Sequence, residues 1–283
     1  METGYITGKY LPKEEIKISP DDRGFLFADG IYEVVRWYQG GFFDMEGHLA
    51  RLKRSLRELS IDWKEVGTFP EICMNLVTLN KLEDKPALVY LQVTRGAARR
   101  THTFPDPPVP PTAYAFARDF IPESSGKENG IGVMLCEDIR WSRCDIKSVA
   151  LLANTLCFEE ATRKGFGECI FSRNGKITEG SHSNVFFVRD NTLLTHPESP
   201  NILSGITRKN ALLVARDLGI NIIEEAVAES DLQSIDEAFI TNTSAEITPV
   251  TRVGDTIIGN GRPGEVTCRM RESLRLLTQS LKH

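Results

Sequence analysis

Ile177-Thr178-Glu179-Gly180-Ser181-His182-Ser183-Asn184-Val185-Phe186 reads as the end of one β-strand, a polar turn and the approach to another. Working upstream, Cys169 to Arg173, then Asn174-Gly175, then Lys176 to Glu179 has the pattern of a β-hairpin. Asn-Gly is a strong hairpin signal because both central residues of a type I′ turn need positive φ. Downstream, Val185 to Val188 reads as a further strand. Glu179 is one of 39 Asp+Glu, and by residue type alone it would be a solvated strand carboxylate.

A second stretch changes that reading. It runs Glu137-Asp138-Ile139-Arg140-Trp141-Ser142-Arg143-Cys144-Asp145-Ile146-Lys147-Ser148. Most of the 34 Lys+Arg are expected to be surface charges. Lys147 stands out through its neighbourhood. A lysine can condense with an aldehyde cofactor, and a carboxylate can keep the ring nitrogen of that cofactor protonated. Taken together, the two stretches resemble the fold-type IV pyridoxal phosphate enzymes, and most closely the D-amino-acid transaminases.

Composition is ordinary for a soluble globular protein. At 283 residues the chain is long enough for about two domains, each with its own core. Hydrophobic residues make up 41% and charged residues 26%, with a net charge of -5, which argues against nonspecific nucleic-acid binding. No apolar run is long enough to span a bilayer. Met1-Glu2-Thr3-Gly4-Tyr5 lacks a basic and an apolar signal region, so no secretory signal is expected. The six cysteines are Cys73, Cys136, Cys144, Cys157, Cys169 and Cys268. They form no C-x-x-C pair and no zinc-ligand spacing, and reduced thiols in a cytoplasmic protein are expected.

The chain divides at a linker-like stretch. A small N-terminal α/β domain is expected over 1–119, an interdomain linker over 120–127 and a large C-terminal domain over 128–283. In the first part, Gly41 to Phe43 reads as a short strand. Met45 to Leu59 reads as a helix, with Leu49, Leu52, Leu56 and Leu59 at helical spacing. Pro70 to Asn80 reads as a helix, and Leu88 to Val93 and Thr112 to Ala117 as strands. In the second part, Val149 to Lys164 reads as a helix closed by Gly165, and Thr207 to Leu218 as an amphipathic helix closed by Gly219.

The resemblance runs from about Gly4 to Glu265 and implies a role for particular residues. Lys147 is the expected imine-forming lysine and proton shuttle. Glu179 is the expected partner of the pyridine nitrogen. For the phosphate of pyridoxal 5′-phosphate it implies the N–H groups of Ile206 and Thr207, the hydroxyl of Thr243 and the guanidinium of Arg51. Leu203-Ser204-Gly205-Ile206-Thr207-Arg208 leads into a helix whose N-terminus suits an anion. Without the resemblance, that stretch would read equally well as an ordinary Ser/Thr cap.

Gln92 to Pro105 resembles the carboxylate trap of the D-amino-acid enzymes. Arg100 and His102, with Tyr32, match its substrate-binding residues, and an Arg/His/Tyr set can bind a carboxylate through charge-assisted hydrogen bonds. The resemblance implies that this loop reaches across a homodimer interface, so that the active site is shared. One departure is His182, which stands where similar enzymes often have a small residue.

The implied fold is a two-domain fold-type IV enzyme of the α/β (α+β) class, with a C-terminal β-pseudobarrel and helices. The implied activity is transamination of a D-amino acid such as D-alanine with 2-oxoglutarate. Alternatives are a branched-chain L-amino-acid or (R)-amine transaminase, or an aminodeoxychorismate lyase of the same fold. The partners expected are amino acids and 2-oxo acids, with no metal, nucleic acid or membrane.

Overall fold

A computed structural model describes residues 2–121 and 128–282. Positions 122–127 of the expected linker lie outside the described residues. Two compact units emerge: Met1–Ile121 with Ile146–Ala150 and Ser280–His283, and Pro122–Asp145 with Leu151–Gln279.

The first unit contains β1 (Thr3–Ile6), β2 (Lys9–Pro12), α1 (Arg23–Phe27), β3 (Gly30–Tyr38), α2 (Met45–Glu58), α3 (Phe69–Leu79), β4 (Pro86–Thr94) and β5 (Thr112–Asp119). Its strands form an antiparallel sheet in the order β2-β1-β5-β4-β3. Helix α2 starts where the Asp44 side chain accepts a hydrogen bond from Gly47 N at 3.0 Å, satisfying one of the donors that a helix start leaves unpaired. Leu52 and Leu56 of α2 and Phe69, Ile72, Leu76 and Val77 of α3 join Ile31, Val35, Val89 and Leu91 of the sheet in one core.

The expected strand at Gly41 to Phe43 is not formed. Phe42 makes a single bridge to Trp37, with the rings edge-on at 4.9 Å. The strand actually present is β3, whose polar members Glu33 and Arg36 interrupt the apolar signal.

Lys147 enters this unit as a short addition to β3. Tyr32 N donates to the Lys147 carbonyl at 3.0 Å, and Val149 N to the Gly30 carbonyl at 3.0 Å, with Ser148 bridged to Ile31. The same bonds explain why the helix expected from Val149 begins only at Leu152: the backbone up to Val149 is engaged in extended pairing.

The second unit contains β6 (Ile131–Glu137), α4 (Leu152–Arg163), β7 (Glu168–Arg173), β8 (Lys176–Gly180), β9 (Asn184–Arg189), β10 (Thr192–Thr195), α5 (Ile206–Asp217), β11 (Asn221–Glu224), β12 (Glu237–Asn242), β13 (Glu246–Val253), β14 (Thr256–Ile257) and α6 (Glu265–Gln279). Its sheet runs β9-β12-β13-β6-β7-β8 and returns to β9, which closes a barrel-like ring. The closing pair is Glu179 opposite Asn184. Val133, Ile170, Ile177, Val185, Phe187, Ile240 and Val250 pack in its core. The hairpin turn carries Asn174 at φ 53 and Gly175 at φ 71, the positive values that Asn-Gly supplies at low cost. Gly165, at φ 78, follows the end of α4 as the glycine signal requires.

Cys136 of β6 and Cys157 of α4 are joined by a disulfide, while Cys73, Cys144, Cys169 and Cys268 are free. The expectation of reduced thiols did not foresee that these two sulfurs pair. Residue spacing gave no hint of the pair, because β6 and α4 bring the two sulfurs together only in the fold. Among the described residues no helix is long and apolar enough to cross a membrane.

Candidate active site

Lys147 is half-buried, and its Nζ lies over the Tyr32 ring, 4.3 Å from the centroid. A ring face attracts a cation without neutralising it. Tyr32 in turn stacks on Tyr90 at 5.8 Å. The Lys147 amide approaches Ser55 Oγ of α2 at 3.4 Å, so α2 and β3 both position the lysine.

Beside it lies a buried ion cluster. Glu33, fully buried, accepts from Arg51 Nε at 2.8 Å and Nη2 at 2.9 Å, and its Oε2 lies 2.8 Å from His48 Nδ1. Burial pushes the Glu33 carboxyl up, but the Arg51 charge and the bonds from Arg51 and His48 overcome it and hold the group well below the usual range. Burial lowers His48, with Glu33 opposing and the charges of Arg51 and Lys147 adding to the lowering. Arg51, expected as a phosphate ligand, is thus buried and held by Glu33 rather than lying on a solvated helix face.

Glu179 is buried on β8 and held at both carboxylate oxygens. Arg140 Nη1 donates to Oε1 at 2.6 Å. Asn184 Nδ2 and Leu203 N donate to Oε2 at 3.1 and 2.9 Å. Arg140 is itself fixed by Asp138, at 2.9 and 3.0 Å, and lies over the Phe171 ring. Burial pushes the Glu179 carboxyl up to about 7, against the pull of Arg140 and the Leu203 N–H. A protonated ring nitrogen would supply the positive charge that favours ionisation here.

The loop that bonds Glu179 leads directly into α5. Gly205 occupies the N-cap and supplies no side-chain cap, at the helix end where the N–H groups of Ile206 and Thr207 lack intrahelical partners. An uncapped start of this kind fits a phosphate. A Cβ on Gly205 would collide with Asn184 Oδ1, the residue that holds both Glu179 and the Leu203 carbonyl. Thr243 lies in the turn between β12 and β13, where Asn242 Oδ1 accepts from Ser244 Oγ and Ala245 N.

The structure brings Arg100 and His102 together on one ring. The Arg100 guanidinium lies 5.1 Å from the Phe27 centroid and the His102 ring 5.6 Å from it, and both side chains are exposed. The contacts of Tyr32 are instead with Lys147 and Tyr90.

His182 has partners of its own: its Nδ1 is 3.0 Å from Glu168 Oε2 and 2.8 Å from Ser181 Oγ. Glu168, fully buried, also accepts from Ser181 Oγ and Ser183 Oγ at 2.5 and 2.9 Å. That carboxylate clamps the turn linking Glu179 to Asn184. Ser181, His182 and Glu168 have the composition of a hydrolytic triad but not its arrangement. The same imidazole nitrogen faces both partners, so no second nitrogen activates the serine.

Reading the sequence missed Glu33, His48, Asp138, Glu168 and Asn184, and left the direction of Arg140 open. Only Asn184 carried a local signal, since a short turn after a strand places it opposite Glu179.

The family of class IV amino-transferases matches residues 30–253. The chain is 38% identical over 277 residues to a D-alanine aminotransferase of Staphylococcus haemolyticus, covering 98% of each. The chain belongs to amino-transferase class IV. Among solved structures, this class IV aminotransferase is similar to the branched-chain amino acid aminotransferase of Escherichia coli, with a TM-score of 0.91, 25% identity and coverage of 100% and 96%. The branched-chain amino acid aminotransferase of Thermobaculum terrenum, in its PLP form, shares the fold, with a TM-score of 0.85, 23% identity and coverage of 99% and 94%.

Proposed function

We propose that this class IV aminotransferase moves the amino group of a D-amino acid such as D-alanine to 2-oxoglutarate. The products are pyruvate and D-glutamate, formed in a ping-pong sequence with pyridoxal 5′-phosphate. The observation that carries the reading is the likeness to a D-alanine aminotransferase over 98% of both chains. The donor sets on this chain fit the cofactor: a lysine facing an aromatic ring, a buried carboxylate with its oxygens already oriented and an uncapped helix start.

When bound, the cofactor supplies an aldehyde and an electron-withdrawing ring. Lys147 binds it at Nζ and carries the α-proton of the substrate. Glu179 holds the proton at the ring nitrogen, and Arg140, Asn184 and Leu203 N orient that carboxylate. The N–H groups of Ile206 and Thr207, with Thr243 and Arg51, hold the phosphate. Glu33 keeps the Arg51 guanidinium in place.

Arg100 and His102, with Tyr32, bind the substrate carboxylate and so select the D-enantiomer. In this reading the loop that carries them acts across a homodimer, the domains are 1–119 and 128–283, and the protein works in the cytoplasm.

The likeness to branched-chain enzymes in fold supports a second reading, with L-leucine as donor. The test supplies D-alanine, L-leucine and an (R)-amine in turn with 2-oxoglutarate and quantifies D- and L-glutamate. D-glutamate formed from D-alanine is expected, and Arg100→Ala should raise KM for D-alanine while the cofactor stays bound. L-glutamate formed from L-leucine alone would replace the proposal with the second reading. Pyruvate released from aminodeoxychorismate without any acceptor would assign a lyase.

A further inference from the structure

Three sulfur atoms meet in the second unit. Cys136 comes from β6, Cys169 from β7 and Cys157 from α4, and all three Sγ atoms lie within 4.8 Å of one another. Strand register explains the meeting. Met134 is opposite Cys169 and Cys136 is opposite Phe171, so Cys136 and Cys169 face the same side of the sheet. Helix α4 packs on β7 and adds Cys157. Met134, Ala161, Phe166 and Phe171 pack around them, with Ser181 and the Glu168 carboxylate beside Cys169.

We propose that these three cysteines, with the Cys136–Cys157 disulfide reduced, form a trithiolate site for a soft cation such as zinc or cadmium. A zinc–thiolate bond is about 2.3 Å, so three sulfurs around one ion lie about 4 Å apart; all three lie within 4.8 Å here, and reduction frees the bonded Cys136 and Cys157 sulfurs to move apart to that distance. Sulfur donors favour thiophilic cations over calcium or magnesium. The side chains sit on two strands and a helix, which holds the three backbone positions in place.

The cation and the disulfide exclude each other, because both use the sulfurs of Cys136 and Cys157. A dithiol reductant gives the disulfide two electrons and two protons, becoming a disulfide itself and leaving two thiols. The cation then displaces the thiol protons, so affinity rises with pH. A low-molecular-weight disulfide reverses the sequence: it takes two electrons from the Cys136 and Cys157 thiolates and two protons from water, is released as two thiols, and the cation leaves as Cys169 regains its proton from solvent.

The test titrates the reduced full-length chain with cadmium and follows the ultraviolet sulfur-to-cadmium band. One tight cadmium per chain is expected, lost after treatment with oxidised glutathione. Cys136→Ser or Cys169→Ser should each weaken binding on the order of 100-fold, whereas Cys268→Ser should leave it unchanged. Cys136 is only half-buried, so its variant tests the site even if Cys169→Ser misfolds. Absence of a saturable band in the reduced wild type, or equal affinity in Cys136→Ser, would overturn the proposal.

Discussion

Glu179 and Glu33 are both buried carboxylates paired with an arginine, and they titrate in opposite directions. Glu33 receives two bonds from Arg51 and one from His48, which outweighs burial. Glu179 receives one bond from an arginine that Asp138 also claims, and burial wins. The pH consequences are opposite. A carboxyl raised to about 7 contributes stability to the cofactor-free protein that is fully present below its unfolded value of about 4.3 and is lost as pH rises through about 7. Glu179→Gln should therefore gain thermal stability relative to wild type between pH 5 and 8 in cofactor-free protein, at a cost in kcat on the order of 100-fold when loaded. A Tm difference that stays flat with pH would contradict the raised carboxyl.

Glu33 has a lowered value, so its contribution is present above about 4.3 and fades as pH falls. Glu33→Gln leaves the Arg51 charge buried without its anion. It should destabilise the protein by about 3 kcal/mol at neutral pH, and denaturant unfolding would measure this. Lys147 and Glu179 stood out as candidates in the sequence because their neighbours form recognisable stretches. The partnership of Arg140 was not, since it spans 39 positions and nothing local reveals which carboxylate an arginine meets.

At the level of elements, the β7–β8 hairpin was readable because its turn chemistry is local. Gly175 at φ 71 has open space around the position of a Cβ, so Gly175→Ala adds backbone strain without a clash. It should cost about 1 kcal/mol of stability and leave turnover near wild type, as thermal melting and a rate assay would show. A larger loss in turnover than in stability would mean that the hairpin moves Glu179. Strand β3 was harder to read, because Glu33 and Arg36 break its apolar pattern and their burial depends on partners elsewhere in the chain. The extended pairing of Lys147 with β3 was equally hidden. It joins positions far apart in the chain, and no local propensity encodes such a pairing. The Asn-Gly turn and the Glu179–Asn184 pair together show how a local signal sets up a long-range result: the hairpin places β8, and its last residues close the ring.

For the whole molecule, the chain contributes Ile146–Ala150 to the first unit while its flanking stretches belong to the second. A linear division of the sequence gives no warning of this. The fold class was nonetheless legible, since the motifs that resemble fold-type IV enzymes are distributed over most of the chain, and the ring of strands and the family match agree with it.

Choice of substrate enantiomer also belongs to this scale, because in the proposed function it would depend on which side of a bound substrate meets Arg100 and His102. The most direct measurement records visible absorbance of the cofactor-loaded protein as D-alanine, then L-leucine, is added without any oxo acid. The band of the lysine-bound cofactor is expected to disappear with D-alanine and to persist with L-leucine. Loss of the band only with L-leucine would contradict this expectation and leave Arg100 and His102 as residues of an exposed loop.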